Sequence, residues 1–280
     1  MQRTLRRVTR PIRRVGRDLI RIYRHRTAEV CPNPVFIGGS PKSGTTAIAA
    51  LLAQATGSKF SNDPFWNVFR RDGHGFLLPD VLDGTLGLEC FVKRYPAYFA
   101  AGIVKDPDFA FLYRDLRHLF PGSSQVFIVR DPRQNIRSIL NRLHMRGDLE
   151  NLGADEQRTL AAEGGWRAIL EGRGLGLDER ANYVGRLAQR WVRGVESYLA
   201  SDAWVQLLRY EDFVGDKMES IARLADVLGL RLTRDIRDEL DRQYQPRGNR
   251  SISMEAFFGR KNLSVIEDTC AKHMSRFGYA

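Results

Sequence analysis

Val35-Phe-Ile-Gly-Gly-Ser-Pro-Lys-Ser-Gly-Thr-Thr46 decides how the rest of the chain is read. Val35, Phe36 and Ile37 form a short apolar run of strand character. Gly38, Gly39 and Gly44 then open a loop, and an Ala/Leu/Ile-rich periodic segment runs from Ala47 to Ala55. Strand, tight loop and helix in that order aim backbone N–H groups and the positive end of a helix dipole at one spot, which suits a phosphate.

Gly39 and Gly44 have the G-x-x-x-x-G spacing of a Walker A loop, but the next two residues break that pattern. A nucleotide-hydrolysing P-loop needs Lys and then Ser or Thr after the second glycine. Here Thr45 and Thr46 occupy those positions, and the lysine, Lys42, lies inside the loop. Lys42 can reach a bridging oxygen that gains charge as a group departs, while Ser43 to Thr46 hold a phosphate.

Downstream, strand and helix patterns alternate. Strands are expected at Ser58–Asn62, Gly102–Lys105, Gln125–Val129 and Trp204–Leu208. Helices are expected at Gly84–Ala100, Phe109–Phe120, Ala181–Ala200, Lys217–Gly229 and Thr233–Arg242, with a last one running through Met274. Gly73-His-Gly75 and Leu78-Pro79 read as loop, and Phe65 to Arg71 holds an aromatic cluster with Trp66. The alternation predicts an α/β fold with a central parallel sheet flanked by helices, whose ligands gather beyond the carboxyl ends of the strands. Residues 146–179, with seven glycines, read as an insertion or lid with helical pieces.

A second candidate site comes after the strand at 125–129. Arg130 stands at the strand terminus of Arg130-Asp-Pro-Arg-Gln-Asn-Ile-Arg-Ser138, and Ser138 lies two helical turns on, so both can face one anion. Pro41-Lys-Ser-Gly-Thr-Thr46 resembles the 5′-phosphosulfate loop of sulfotransferases that use 3′-phosphoadenylyl sulfate (PAPS). The Arg130 and Ser138 segment resembles their 3′-phosphate signature. The likeness covers roughly residues 34 to 280, is most similar to bacterial and carbohydrate-type members, and implies a P-loop-like fold of the sulfotransferase type. It implies that Pro41, Lys42, Ser43, Gly44, Thr45, Thr46, Arg130 and Ser138 bind PAPS as sulfuryl donor and that no metal is required. Tyr210, in Tyr-Glu-Asp after a strand, matches a residue close to the adenine. Arg260 and Lys261 loosely match a basic element that closes over the 3′-phosphate.

The same resemblance implies transfer to a hydroxyl or amine of a carbohydrate, glycolipid or other small metabolite. Carbohydrate-type members use a carboxylate as general base, which points to Asp63 and Glu89, with His74 and Asp106 next. Lys105 either lies in the cleft or forms an ion pair. Two other classes stay open: a P-loop nucleotide kinase or NTPase, and a non-catalytic nucleotide-binding protein.

Bulk properties set the frame. A length of 280 residues with 43% hydrophobic content fits one large domain, residues 34–280, behind an arm at residues 1–33. No run approaches the roughly 18 apolar residues of a membrane span, and the N-terminus has arginines without the apolar core of a signal peptide. A cytoplasmic location is therefore expected. Cys31, Cys90 and Cys270 are expected to be reduced. Residues 1–26 hold ten arginines against one acid, about +9 of the net +11, so the high pI is no argument for nucleic acid. Leu5, Val8, Ile12, Val15, Leu19 and Ile22 recur at spacings of three and four. A basic amphipathic helix of this kind can lie on an anionic membrane surface, pack on its own domain or pair with another chain.

Overall fold

A computed structural model describes residues 19–244 and 251–279. Five parallel strands form one sheet: β1 Val35–Gly39, β2 Phe60–Asn62, β3 Ile103–Lys105, β4 Ser124–Val129 and β5 Val205–Arg209, in the order β2-β3-β1-β4-β5. β1 is central and wholly buried, as its unbroken apolar run requires. Its register sets Phe36 beside Val104 of β3 and Gln125 of β4. The strand order turns back at β1, with β2 and β3 on one side and β4 and β5 on the other, so a crevice opens where the flanking connections part.

Alternation along β1 sorts the core. Val35 and Ile37 pack with Ile48, Leu51 and Leu52 of helix α1 (Thr45–Thr56) and with Leu224, while Phe36 faces the other way. The Phe36 ring meets Phe99, Phe109 and Phe120 edge-on at centroid distances of 6.5, 5.2 and 5.0 Å. Glycine is required at the end of β1. Gly39 has φ +147°, and a Cβ there would lie 2.4 Å from the carbonyl oxygen of Ile128.

Four further helices place the site: α2 Pro64–Arg71, α3 Pro132–Arg142, α4 Tyr183–Leu199 and α5 Met254–Met274. The aromatic cluster at 65–71 thus lies on α2, which begins with proline in its first turn. Leu78-Pro79 likewise opens a short helix, Leu78–Leu82, where a loop is expected from sequence. The expected helix at 84–100 shrinks to Leu88–Arg94 plus a 3₁₀ turn, and that at 109–120 splits into a turn, Pro107–Phe111, and a helix, Tyr113–Leu119.

No α-helix forms at 233–242, where the described structure has only the turn Arg237–Glu239. The amides of Thr233 and Arg234 instead donate to the carbonyl of Ala55, strapping this segment to the end of α1. The segment 146–179 carries two short helices, Ala154–Ala162 and Gly164–Glu171. Residues 19–27 are helical, and the upstream stripe from Leu5 to Val15 lies outside the described residues. No described helix is long and apolar enough to cross a membrane.

Phe36→Ala removes the ring on which the aromatic face of the core converges. It is expected to cost about 3–5 kcal/mol in chemical denaturation. A cost below about 1 kcal/mol, the size of a typical surface or isosteric change, would show that this face does not anchor β1.

Candidate active site

The carboxyl ends of the strands open into a cavity of about 560 Å³. Pro41, Lys42, Gly44, Thr45 and Thr46 line it from the loop after β1, Arg130 and Ser138 from the β4–α3 segment, and Asp63 and Lys105 from the ends of β2 and β3. α1 starts at Thr45, and no side chain caps its N-terminus. First-turn N–H groups with no intrahelical partner therefore stand at the cavity without a competing side-chain acceptor.

The loop is held from the β4–α3 segment. Asn135 Nδ2 donates to the Pro41 carbonyl at 2.7 Å and to Ser43 Oγ at 3.0 Å. Arg130 Nη1 donates to the Lys42 carbonyl at 2.7 Å. Lys42 itself sits at φ +69°, a left-handed conformation uncommon outside glycine. Gly44 is left-handed too, at φ +81°, and a Cβ there would fall 2.5 Å from Tyr210 Cδ2. Tyr210 thus rests on Gly44, and the Arg130 guanidinium carbon lies 4.5 Å from its ring centroid. One ring face is taken by that cation, so Tyr210 props the loop and Arg130 while it also lines the cavity.

Lys42 is a strongly perturbed cation. Burial, and then the positive charges of Arg142, Arg130 and Lys105, bring its ammonium down to about 8. Lys105 is 2% exposed and spends its donors on Thr46 Oγ1 at 2.8 Å and Asp63 Oδ1 at 2.6 Å. Asp63 also accepts from Asn62 Nδ2 at 2.7 Å through its other oxygen, and its φ of +48° is one that Asp tolerates better than most residues. A carboxylate oxygen carries two lone pairs, so Asp63 keeps acceptor capacity toward the cavity it lines.

Of the other predicted positions, Ser43 is fully buried behind the loop with its hydroxyl on Asn135. Asp106 and Asp108 reach the lining but are structurally engaged. Asp106 accepts from the amides of Phe65 and Asp108, and Asp108 pairs with the buried Arg190. Burial, followed by the neighbouring Asp108 and Asp63 carboxylates, pushes Asp106 well above the usual carboxylate range.

Besides Ser43, the predicted positions Glu89, Arg260, Lys261 and His74 are not brought to the cavity lining. Glu89 stands on the outer surface, bonded to Lys93 one turn on at 2.6 Å. Arg260 is exposed and pairs with Glu255 at 2.7 Å, and Lys261 is exposed and pairs with Glu150 at 2.6 Å. His74 packs against Tyr95 instead. The far wall is aromatic: Trp66, Phe76 and Trp166 line it, with the two indoles edge to face at 6.1 Å and Arg142 Cζ 5.9 Å from the Trp166 centroid.

Sequence reasoning missed Asn135 and Arg142. Asn135 is a short polar residue five positions after Arg130, on the buried side of a helix, and that placement is the only signal it gives.

No family model matches the sequence, and no curated protein does. Solved structures do match. The sulfotransferase STF9 from Mycobacterium avium is 14% identical over 91% of this chain and 79% of its own, with a TM-score of 0.55. The sulfotransferase STF1 from Mycobacterium tuberculosis H37Rv is 14% identical over 89% of this chain and 78% of its own, with a TM-score of 0.51. The chain has the sulfotransferase fold, with its P-loop-like core around a central parallel sheet.

Asn135→Ala strips the Pro41 carbonyl and the buried Ser43 hydroxyl of their donor. It is expected to cost roughly 1–3 kcal/mol in chemical denaturation. Glu89→Ala and Arg260→Ala are expected to leave the denaturation midpoint where it is.

Proposed function

We propose that this chain transfers a sulfuryl group from PAPS to a hydroxyl or amine of a small-molecule or glycan acceptor. The observation that carries this reading is the position of Lys42. It lies within the loop rather than after Gly44, and it faces a cavity that also contains a second basic site at Arg130 and Ser138. Two anion sites on one cavity suit a nucleotide with phosphates at both the 5′ and 3′ ends. STF9 and STF1 are sulfotransferases of the same fold, which supports the reading.

The residues present fit such a donor. The uncapped start of α1 and the Gly44 cradle suit the 5′-phosphate. Arg130, a permanently charged planar guanidinium whose geometry matches a phosphate, lines the same cavity as Ser138, which suits the 3′-phosphate. When bound, the donor supplies a sulfuryl group whose bond to a 5′-phosphate oxygen breaks as the acceptor attacks, leaving adenosine 3′,5′-bisphosphate.

The chain's own work is electrostatic and positional. Lys42 neutralises charge on the departing oxygen. Asp63 takes the acceptor proton, with Lys105 fixing its carboxylate and tying it to Thr46 in the loop. Trp66, Phe76 and Trp166 offer ring faces and edges on which a sugar or aryl acceptor packs.

The test is transfer of ³⁵S from labelled PAPS across a panel of acceptors. Lys42→Ala is expected to lower transfer by about 10²–10³ and Asp63→Asn by about 10²–10⁴, with bisphosphate binding retained in Asp63→Asn. Glu89→Ala is expected to match wild type. Undiminished transfer by Asp63→Asn would sink its role as base. No transfer to any acceptor, despite bisphosphate binding, would favour a binding protein.

The pH profile gives a separate check. Lys42 is charged below its value of about 8 and neutral above it. kcat/KM, which reports the free enzyme, is therefore expected to fall as pH rises through about 8. Lys42→Arg moves that fall to higher pH, because a guanidinium stays protonated.

A further inference from the structure

The helix at residues 19–27 meets the domain through its polar side. Arg21 Nη1 donates to the Arg71 and Asp72 carbonyls at 3.4 and 3.3 Å, and its Nε lies 3.7 Å from Asp72 Oδ1. His25, one turn on, holds Nε2 3.7 Å from Asp72 Oδ2, and its ring meets Tyr95 and Tyr98 edge-on. Tyr98 also donates to Asp72 at 3.0 Å, so this buried carboxylate is a latch shared by helix and domain.

At about 100° per residue, Leu19 and Tyr23 lie on the side opposite Arg21 and His25, with Ile20 and Ile22 on its two flanks. All four are exposed, at 62, 68, 44 and 69%. A helix packed on its own domain normally buries its apolar stripe and leaves its cations in water. Here the orientation is reversed, and a contiguous apolar face of that kind marks an interaction surface.

Charge selects the occupant. Residues 1–26 hold ten arginines and one acid, and the apolar spacing of Leu19 and Ile22 continues upstream in the sequence through Val15, Ile12, Val8 and Leu5. A nucleic acid would use the arginines but has no place for Leu19, Ile20 and Tyr23. A protein partner would use the apolar face without needing about nine positive charges. An anionic lipid surface uses both: aliphatic side chains enter the headgroup boundary, a tyrosine sits at its edge, and arginines meet lipid phosphates and carboxylates.

We propose that this helix docks the chain on an anionic lipid surface, with Asp72 setting the orientation of the domain. Asp72 directly follows α2, and Asp63 directly precedes it, so the latch is rigidly linked to the cavity across about 12 Å of helix. The inference stands whether or not the chain is a sulfotransferase, and its test reads no activity.

Full-length protein is sedimented with phosphatidylcholine vesicles and with mixed phosphatidylserine–phosphatidylcholine vesicles. Wild type is expected to bind the anionic vesicles, to leave the neutral ones in solution, and to lose binding as salt is raised. Leu19→Ser/Ile20→Ser/Tyr23→Ser is expected to weaken binding at least tenfold, since it removes three large apolar side chains from the face that enters the lipid. Its thermal midpoint should match wild type, because the replaced side chains are exposed. Absence of wild-type binding, equal binding to both vesicle types, or full binding by the triple variant would each overturn the proposal. A wild-type dimer in light scattering that the triple variant abolishes would assign the face to a second copy and overturn it as well.

Discussion

Two backbone carbonyls in the loop after β1 carry the architecture of the site. Asn135 holds that of Pro41 and Arg130 holds that of Lys42, both from the segment after β4. Left-handed backbone at a non-glycine residue costs about 1–3 kcal/mol and persists only where neighbours over-determine it. Here they do: two side-chain donors, the Tyr210 ring on Gly44, and the start of α1 all bear on a few residues. Arg130 is fixed in turn, because Trp191 on α4 donates to its carbonyl at 2.9 Å. The loop and the segment after β4 are therefore tied into one unit.

The same economy governs the carboxylates. A lysine 2% exposed needs partners, and Lys105 finds them in Asp63 and Thr46, which ties the end of β3 to α1 and to the residue before α2. Asp106 and Asp108 sit one and three residues further on yet serve the fold, one through backbone amides and the other through Arg190. Of the nearby acids, Asp63 is the one that combines a fixed ammonium partner with free lone pairs at the cavity. The Lys105 ion pair, one of two uses its sequence position left open, thus turns out to be part of the site.

Legibility in the sequence depends on how local each signal is. β1, its loop and α1 are contiguous, and their glycines are dictated by backbone conformation, so the strand–loop–helix unit stands out from residues 35 to 55 alone. Arg130 and Ser138 are legible because strand and helix phases place them on one side. Glu89 is not, because its helix phase is set by Phe91 and Val92, which face the core and turn Glu89 outward. Arg260 and Lys261 are exposed and pair with surface acids, a choice of partner that no local pattern encodes. The segment at 233–242 has helical composition but is held by the Ala55 carbonyl, a contact 178 residues away in sequence for Thr233. Asn135 is invisible for a related reason, since its partners become neighbours only once β1 and β4 pair.

Calorimetric titration without metal tests the central claim, that the loop and the Arg130 site hold the two ends of one nucleotide. Adenosine 3′,5′-bisphosphate is expected to bind in the absence of Mg²⁺, with 5′-AMP and 3′-AMP each weaker by tenfold or more, and Arg130→Ala is expected to erase the preference for bisphosphate over 5′-AMP. Tighter binding of ATP with Mg²⁺ than of the bisphosphate, or equal binding of the bisphosphate and 5′-AMP, would contradict it.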